Sequence, residues 1–584
     1  MAPTDTVPFK VSPLSPVARI LWVALILATL YLCYFHNLGA IGLVGPDEPR
    51  YAWIARDMAE SGDWVTPRLY GRPWFEKPPL YYWGAAACFK LFGVSETTAR
   101  LPSAICALLA TLALTWLAWR IYGSETARWL LLLLPTSVGM IGFSHAAATD
   151  MPFAAMLTIA MVLAARLLGL LPEQSEEMQS PQGPIRSFTS STSFTSFFFG
   201  FFLGLATLAK GPAAIILSGG AVFFWAIFTK RWRDAFRCLH PLAILSFCLT
   251  ALPWYILCAR RNPDFFRVFI IEHNFKRFLT SEFQHIQPFW FYVPILLVAT
   301  FPWTLLLACE VVPRLGHLWK ERQLRISHAT VLFCSWAIFC LLFFSISRSK
   351  LPGYILPAVP PLMLLIASSI PLKLQNPSAS LRWILAATGL SLSILGMVLR
   401  HQAPKVPAFL CISPACGITR IWILAVAGGI VIAALAGMRK FPASLLAEVL
   451  VVLLLVVEVD RFLPNLDPGV SGRDAAQVVI NVWPDFTAQR SAAWQLNRSF
   501  LYQLNFYFRT EIPEWKASEP QPTWLFVPKG RKKEAASLGF RCVNFAIDPA
   551  VIPCRAASLV SGLGGRGSLG NGNGSGNDGS LTHR

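Results

Sequence analysis

Long apolar runs recur along most of the chain and are separated by short polar segments. A run of about 18 or more apolar residues is long enough to cross a hydrocarbon core of roughly 30 Å as a helix. The runs lack the alternating pattern of a membrane β-barrel strand, so the spans are predicted to be helical. The pattern predicts about thirteen membrane-spanning helices, at 17–36, 101–119, 126–144, 150–171, 195–209, 212–229, 239–258, 289–310, 328–346, 354–371, 383–400, 420–437 and 443–460.

The first long polar segment, residues 37–100, is too long for a simple connection between spans. Two stretches within it, 51–59 and 79–92, are amphipathic and contain aromatic residues such as Trp53 and Trp83. Such helices typically lie in the plane of the membrane interface, so two interfacial helices are predicted here.

Beyond the last span the composition becomes that of a globular domain. Residues 477–483 (QVVINVW) and 523–528 (TWLFVP) are strand-like, and residues 491–508 are helix-like. We therefore expect an all-α polytopic membrane domain over 1–463 and a small soluble α/β domain over 464–560. A Gly-rich tail over 561–584 is predicted to be disordered.

The distribution of charge along the chain predicts how the spans are oriented in the membrane. The chain has 584 residues, of which 14% are charged and 55% hydrophobic, with a net charge of +19. Most basic residues lie in short loops between spans, where positive-inside topology or phosphate binding explains them better than nucleic acid does. The basic loops predict a cytoplasmic N-terminus, and an odd number of spans then places the C-terminal domain outside the cytoplasm.

The thirteen cysteines are mostly single residues within spans, and none forms a CxxC pair. Cys411 with Cys416, and Cys542 with Cys554, fall in segments predicted to lie outside the cytoplasm. Disulfides form in such compartments, but spacing alone leaves both pairings open.

Candidate chemistry begins in the first polar segment. Asp47 and Glu48 follow the first span directly, with Arg50 and Tyr51 beside them. A carboxylate at an apolar interface is suited to general-base catalysis. The alternative is structural, because a carboxylate before a helix is also a common N-cap. Further along, Glu76 and Lys77 form a charged pair held before two prolines.

More ionisable residues lie at span ends, where charges are costly and usually functional. Asp150 begins the fourth span and is a second candidate catalytic acid. Basic residues in separate loops, together with Tyr51 and Tyr354, are expected to converge on a phosphate; they are Arg50, Lys77, Lys210, Arg277 and Lys350. Glu76 and His273 are candidate ligands of a divalent metal, the one cofactor considered.

Six motifs in order carry a resemblance to a known family. They are GPDEPRYAWIARDM (45–58), FEKPPLYYW (75–83), ATDMP (148–152), LAKGP (208–212), EHNFKRF (272–278) and SKLPGYILP (349–357). They resemble the bacterial GT-C fold transferases that use lipid-linked sugars, the family of the aminoarabinose transferases of lipid A and relatives of the protein O-mannosyltransferases. The resemblance runs from about residue 17 to 371 and is looser in the C-terminal domain, where it includes 504–509.

The resemblance implies a GT-C membrane domain and an undecaprenyl-phosphate or similar polyprenyl-phosphate sugar donor. Asp47 would be the catalytic carboxylate of an inverting transfer, and Arg50 and Lys77 would bind the donor phosphate. Lys210 and Arg277 are further candidates for that phosphate, and Glu76 and His273 match a position where a metal is seen in the family. The spacing between His273 and Arg277 is one residue longer than in the usual EHxxRF pattern.

Three classes of function were compared. A transporter of lipid-linked sugars typically has ionisable groups near the bilayer midplane and inverted repeats, whereas these clusters lie at one face and no repeat is evident. A scaffold does not require acids and bases from five loops. We therefore expect an enzyme of the bacterial inner membrane with a periplasmic active site. Its acceptor is expected to be lipid A or another lipid or glycan, and membrane lipids are expected to contact the protein. A transferase of the protein O-mannosyltransferase type is the alternative.

Overall fold

The computed structural model describes residues 15–171, 185–276, 287–307, 327–377, 379–402, 417–483, 486–545 and 549–557. The chain divides into two compact units, Met1–Arg473 and Asp474–Arg584. The first unit is helical apart from a two-stranded hairpin, and the second contains a four-stranded sheet.

The α-helices of the first unit are numbered in chain order. They are α1 Pro16–Tyr34, α2 Asp47–Ser61, α3 Leu80–Phe92, α4 Glu96–Tyr122, α5 Ser124–Leu133, α6 Val138–Ser144, α7 Asp150–Leu167, α8 Ile185–Lys210, α9 Ala213–Thr229, α10 Trp232–Ala235, α11 Pro241–Arg261, α12 Tyr292–Ala299, α13 His328–Ile346, α14 Val359–Gln375, α15 Ala379–Gln402, α16 Gly417–Gly437 and α17 Phe441–Val470. Short 3₁₀-helical turns lie at Phe236–Leu239, Phe289–Phe291 and Pro352–Ala358, and a π-helix lies at Arg267–Lys276. Strands β1 Arg68–Leu69 and β2 Arg72–Pro73 pair in antiparallel fashion.

The first unit spans the membrane several times. Within the described residues, ten helices are long and apolar enough to cross a membrane, and the bent pair α5 and α6 raises this number to eleven. Each of the predicted spans overlaps a helix or this bent pair, but α9 and the apolar helical segment Phe289–Ala299 are shorter than 18 residues, and residues 308–310 lie outside the described part of the chain. The prediction of a polytopic helical membrane protein is confirmed, whereas the count of thirteen is not.

The bend between α5 and α6 has a local cause. The two helices meet at 61°, and Pro135 lies in the break between them. Proline lacks a backbone N–H and cannot continue the hydrogen-bond ladder of a helix, and α5 ends at Leu133, two residues before it. The chain then enters α6, which leads to the loop before Asp150.

Helix α7 lies in the centre of the membrane core. Its residues are buried on nearly every side, with Phe153, Leu157 and Ala160 fully enclosed. Small residues let the helices around it approach closely, as lipid-embedded helices require. At Gly200 of α8, an added Cβ would lie 2.0 Å from the carbonyl oxygen of Ala243 in α11.

The two helices predicted within residues 37–100 are present as α2 and α3, and α2 begins earlier than expected, at Asp47. Asp47 and Glu48 therefore occupy the first turn of a helix. That these helices lie in the membrane interface stays a prediction.

The second unit has helices α18 Arg473–Val482, which begins at the unit boundary, α19 Arg498–Phe508 and α20 Lys532–Ser537. Its strands are β3 Ser491–Ala493, β4 Trp524–Pro528, β5 Phe540–Cys542 and β6 Val551–Ala556, in the sheet order β3-β4-β6-β5. Strands β3 and β4 are parallel and the other pairs are antiparallel. The small α/β architecture predicted for this region is confirmed.

Two local predictions in this unit were wrong. Residues 477–482 belong to helix α18 and not to a strand, because Ala475, Ala476 and Val479 form a buried face at helical spacing. The helix predicted over 491–508 begins only at Arg498, since Ser491–Ala493 pairs with β4 as a strand.

The cysteine predictions divide between the described and undescribed residues. Cys542 and Cys554 are joined by a disulfide that links the adjacent strands β5 and β6. Cys411, Cys416 and the tail 561–584 lie outside the described residues.

Candidate active site

Asp47 is the first residue of helix α2, and its side chain is partly exposed to solvent. The N-cap of this helix is Pro46, and no side chain caps it, so the alternative that Asp47 is a capping residue is wrong. A carboxylate in the first turn is stabilised by the partial positive charge of the helix N-terminus. The Asp47 side chain is 46% exposed, which leaves it accessible to a substrate.

Arg50 connects Asp47 with Glu76. Its guanidinium is hydrogen-bonded to Asp47 Oδ1 one turn away, and its Nη1 lies 3.0 Å from Glu76 Oε2. Burial alone would lower the pKa of Arg50, but the carboxylates of Glu76 and Asp47 raise it, so this guanidinium stays charged. The sequence motifs at 45–58 and 75–83 thus meet in one charged cluster.

Aromatic residues surround this cluster. The Arg50 guanidinium lies 5.6 Å from the ring of Trp74 and 5.8 Å from the ring of Tyr51. Burial, followed by the charges of Glu76 and Asp47, raises the pKa of the Tyr51 hydroxyl well above its ordinary value. The buried hydroxyl of Tyr82 has no hydrogen-bond partner among the described residues. The site therefore combines fixed charges with neutral hydroxyl groups.

Glu48 has surroundings unlike those of Asp47. Its carboxylate is buried and accepts hydrogen bonds from the backbone N–H groups of Val44 and Ala147, each at 2.7 Å. It also accepts two from Arg100, at 3.1 Å and 2.7 Å. A carboxylate with four donors is held in place and is poorly suited to exchange protons with a substrate. We infer that Glu48, predicted as a candidate catalytic residue, is structural.

A second charged group lies at the ends of two membrane helices. Asp150, at the start of α7, is paired with Lys210, at the end of α8. The Lys210 ammonium also lies 4.3 Å from the ring centroid of Tyr354. Gly353 permits this arrangement, because an added Cβ there would lie 2.5 Å from Asp150 Oδ1. The motifs at 148–152, 208–212 and 349–357 thus form one cluster.

Lys350 is engaged differently from the other predicted phosphate ligands. Its buried ammonium donates hydrogen bonds to the backbone carbonyls of Gln287, at 3.1 Å, and of Ser347. Burial lowers the pKa of this lysine. These contacts tie Lys350 to its own loop, and its predicted role as a phosphate ligand stays a prediction.

The predicted metal ligands are only partly described. One oxygen of Glu76 faces the cationic Arg50, which competes with a metal ion for the carboxylate. The backbone of His273 belongs to the π-helix, whereas Arg277 lies outside the described residues. Within the part of the chain that the structure describes, no group of three or more His, Cys, Asp or Glu residues is arranged to hold a metal.

Sequence reasoning missed Arg100. It lies immediately before an apolar run, where a charge is ordinarily read as a snorkelling residue at a span end. Nothing in the local pattern indicates that it reaches back to Glu48, because the partner lies 52 positions away.

The helical first unit and the small sheet-containing second unit have the GT-C fold, as the sequence predicted. The crystal structure of ArnT from Cupriavidus metallidurans bound to undecaprenyl phosphate superposes with a TM-score of 0.71, at 23% identity, over 94% of this chain and 99% of that chain. Its apo structure gives a TM-score of 0.70 at 24% identity, over 93% of this chain and 99% of that chain.

Sequence comparisons agree with this fold. Residues 19–269 match the family model described as dolichyl-phosphate-mannose-protein mannosyltransferase. The undecaprenyl phosphate-α-4-amino-4-deoxy-L-arabinose arabinosyl transferase of Edwardsiella ictaluri is 34% identical over 347 residues, 59% of this chain and 58% of that protein. The protein of the same name from Pseudomonas aeruginosa (strain UCBPP-PA14) is 32% identical over 364 residues, 60% of each chain. The chain thus matches about three fifths of the length of these relatives, and the resemblance seen in its motifs is confirmed.

Proposed function

We propose that this chain is an inverting glycosyltransferase that moves a sugar from a polyprenyl-phosphate donor to an acceptor in the cell envelope. The observation that carries the proposal is the cluster of Asp47, Arg50 and Glu76, with Lys77 adjacent, at the start of α2. It presents an accessible carboxylate beside a permanently charged guanidinium. That pairing suits a reaction in which a hydroxyl attacks and a phosphate leaves.

Asp47 acts as general base in the proposed reaction. The acceptor hydroxyl gives its proton to Asp47 as its oxygen forms a bond to the anomeric carbon. The bond between that carbon and the phosphate oxygen breaks on the opposite face, and its electron pair stays on the phosphate. Attack from the face opposite the leaving group inverts the anomeric centre.

Arg50 and Lys77 stabilise the leaving phosphate. Arg50 is already fixed by two carboxylates, so little side-chain freedom is lost when it contacts the donor. Lys210 is proposed as a further phosphate ligand, with Asp150 as its partner and the Tyr354 ring beside its ammonium. Glu76 and His273 are kept as candidate metal ligands, and Arg277 as a candidate phosphate ligand, on the resemblance alone.

The relatives suggest which donor and acceptor to test first. Two of them are named for undecaprenyl phosphate and 4-amino-4-deoxy-L-arabinose. We infer undecaprenyl-phosphate aminoarabinose as the donor and lipid A as the acceptor. The matching family model is named for transfer of mannose to proteins, and this supports a hydroxyl of a protein as the alternative acceptor.

The reaction is placed on the periplasmic face of the inner membrane. Two observations support this location. The inner loops of the predicted topology are basic, and the Cys542–Cys554 disulfide of the second unit is typical of an oxidising compartment.

Transfer by the purified full chain tests the proposal. The protein is incubated with undecaprenyl-phosphate aminoarabinose and either lipid A or a serine- and threonine-containing peptide, and products are weighed by mass spectrometry. We expect lipid A to gain the mass of one aminoarabinose, with release of undecaprenyl phosphate. Asp47→Asn should abolish most of this transfer, and Glu60→Gln on the same helix is its matched control, because Glu60 is 60% exposed and pairs with Arg56 one turn away. Product with the peptide and none with lipid A would support the alternative acceptor, and no product with either would refute the proposal.

A further inference from the structure

The segment between α1 and α2, residues 35–46, contains turns and irregular backbone but no helix or strand. It ends at Asp47, the proposed general base. Backbone polar groups that are buried without a regular hydrogen-bond ladder need other partners, since leaving them unpaired is costly. The identity of those partners decides what fixes the position of Asp47.

Several of these partners come from the far end of the membrane unit. Asp467, near the end of α17, accepts a hydrogen bond from the backbone N–H of Gly42 at 2.8 Å. Arg473 donates to the carbonyl oxygens of Gly39 and Ala40 at 3.1 and 3.2 Å. Asp467 and Arg473 are also paired with each other. Two side chains more than 420 positions away thus hold three residues of this segment, Gly39, Ala40 and Gly42.

A second contact with α17 lies at the beginning of the segment. Asp460 Oδ2 lies 2.7 Å from Nδ1 of His36, and the carbonyl oxygen of Asp460 accepts a hydrogen bond from the Asn37 side chain at 3.0 Å. Asp460 and Asp467 are seven residues apart, which places them on the same face of a helix, two turns from each other. One face of α17 therefore contacts both the beginning and the middle of the segment.

Arg100 also holds the segment 35–46 through hydrogen bonds to its backbone. It donates to the carbonyl oxygens of Leu38, Ile41 and Gly42, each at 2.8 Å, and is paired with Glu48 next to Asp47. Gly42 is thus held from both directions, with its N–H bound to Asp467 and its carbonyl bound to Arg100.

We propose that Asp467 and Arg473 are positioning residues, which set the location of Asp47 through residues 39–42. This inference rests on the proposed function, because it concerns the reaction that Asp47 performs. Neither residue is adjacent to Asp47 in the sequence, and neither is placed in contact with the substrate. Their effect is expected on turnover and not on donor affinity, since Arg50 and Lys77 bind the donor through α2 and its neighbouring loop.

Substitutions at Asp467 separate positioning from general stability. Asp467→Ala removes the acceptor for Gly42 and Ser471 and one of the carboxylates that pair with Arg473, the other being Glu96. Asp467→Asn keeps an oxygen for Gly42 and removes the charge. Glu458→Ala is the matched control, because Glu458 lies on the same helix and pairs with Arg461 at 2.7 Å and with Arg420 at 4.0 Å, neither of which belongs to residues 35–46. All variants are made in the full chain in nanodiscs.

Two readouts are measured for each variant: donor KM and kcat, and hydrogen exchange of the Gly42 amide. Small displacements of a catalytic group are costly, at about 10²-fold for 1 Å, so Asp467→Ala should lower kcat by at least about tenfold with donor KM within about threefold. Exchange at Gly42 should be faster by at least about tenfold, while amides in the centre of α4 are unchanged. Asp467→Asn should fall between Asp467→Ala and the wild type, and Glu458→Ala should match the wild type.

The outcomes are distinct. Faster exchange at Gly42 with unchanged kcat would overturn positioning, as would unchanged exchange in Asp467→Ala. A loss of kcat that Asp467→Asn does not partly restore, with exchange faster throughout α4, would show general destabilisation and also overturn it. Failure of the proposed function would be visible separately, as absence of turnover in the wild type while the Gly42 exchange still follows the order of the variants. If Asp467→Ala does not fold, the comparison of Asp467→Asn with Glu458→Gln decides the question in the same way.

Discussion

Glu48 accepts two hydrogen bonds from the guanidinium of Arg100, although the residues lie 52 positions apart. Both side chains are buried, and Arg100 also donates hydrogen bonds to backbone carbonyl oxygens. Asp47, the preceding residue, has an exposed carboxylate paired with Arg50. Two adjacent acids in one motif therefore differ physically, because Glu48 is buried in an ion pair and Asp47 is partly exposed.

This difference predicts opposite outcomes for two conservative substitutions. Asp47→Asn keeps the shape of the side chain but removes its ability to accept a proton, and general-base steps contribute about 10²–10⁴-fold. We expect turnover to fall by at least about a hundredfold while Tm and donor binding stay near wild type. Transfer assays and thermal unfolding in detergent provide both measurements.

Glu48→Gln should chiefly lower stability. The substitution removes one partner of a buried ion pair, which typically costs about 3–5 kcal/mol, so Tm should fall clearly. The protein that remains folded should retain turnover within about tenfold of wild type. An inactive Glu48→Gln at wild-type Tm, together with an active Asp47→Asn, would exchange the roles of the two acids.

Lys77 offers a test of donor binding. If its ammonium contacts the donor phosphate, Lys77→Ala removes a charge-assisted hydrogen bond, worth about 1.5–3 kcal/mol. Donor KM should then rise by roughly tenfold or more. Lys90→Ala is the matched control, because Lys90 lies on α3 in the same region of the chain and its ammonium rests over the ring of Trp64 at 5.6 Å. Equal donor KM for the two variants and the wild type would contradict the assignment of Lys77.

Much of the fold could be predicted because membrane helices are specified locally. Length and apolarity define a span, and Pro135 explains why one predicted span is two bent helices. The failures are also local in origin. The short apolar run at 477–483 fits either a strand or a buried helix face, and only the packing of Val479 decides between them.

The sequence motifs identified candidate site residues, but they did not predict which of those residues contact each other. Motifs identified Asp47, Arg50, Glu76, Asp150 and Lys210, yet no spacing rule pairs Asp150 with Lys210 or engages Lys350 with two backbone carbonyls. Such contacts join distant helices and depend on the packing of the whole membrane core. Asp467 and Arg473 remained unnoticed for the same reason, since a charge after the last span resembles ordinary loop polarity.

The Asp150–Lys210 pair permits a test that separates structure from function. Lys210→Met leaves Asp150 without its partner at a site where the lysine side chain is only 8% exposed. Breaking a buried pair on one side is strongly destabilising, by about 3–5 kcal/mol, whereas replacing both charges is often neutral. Tm should therefore fall in Lys210→Met and recover in the double variant Asp150→Asn/Lys210→Met.

Donor KM should not follow Tm in this double-mutant cycle. If Lys210 binds the donor phosphate, the double variant still lacks that charge and should have a donor KM raised by roughly tenfold or more. Recovery of both Tm and donor KM in the double variant would show that the pair is only structural.

The last prediction concerns the side of the membrane on which the second unit lies. An even number of spans would return it to the side of the N-terminus, and an odd number would place it opposite. Among the described residues the long apolar helices number ten, the bent pair makes eleven, and two further apolar helices are shorter, so the span count does not fix the side. The basic inner loops and the Cys542–Cys554 disulfide predict the outer side. Alkaline phosphatase, which is active only outside the cytoplasm, should on that basis be active when fused after Arg509 and inactive when fused after Arg237. Green fluorescent protein at the same positions is the matched control and should give the inverse pattern. Arg237 is a useful inner marker because it lies in a basic connection that also contains Arg231, and short basic loops remain cytoplasmic.

The disulfide between Cys542 and Cys554 gives an independent readout, since it should persist in cells only if the second unit is in an oxidising compartment. Thiol labelling of intact cells without reductant should thus leave both cysteines unmodified. A reversed fusion pattern with freely labelled Cys542 would move the second unit to the cytoplasm, and the proposed periplasmic reaction would have to be abandoned.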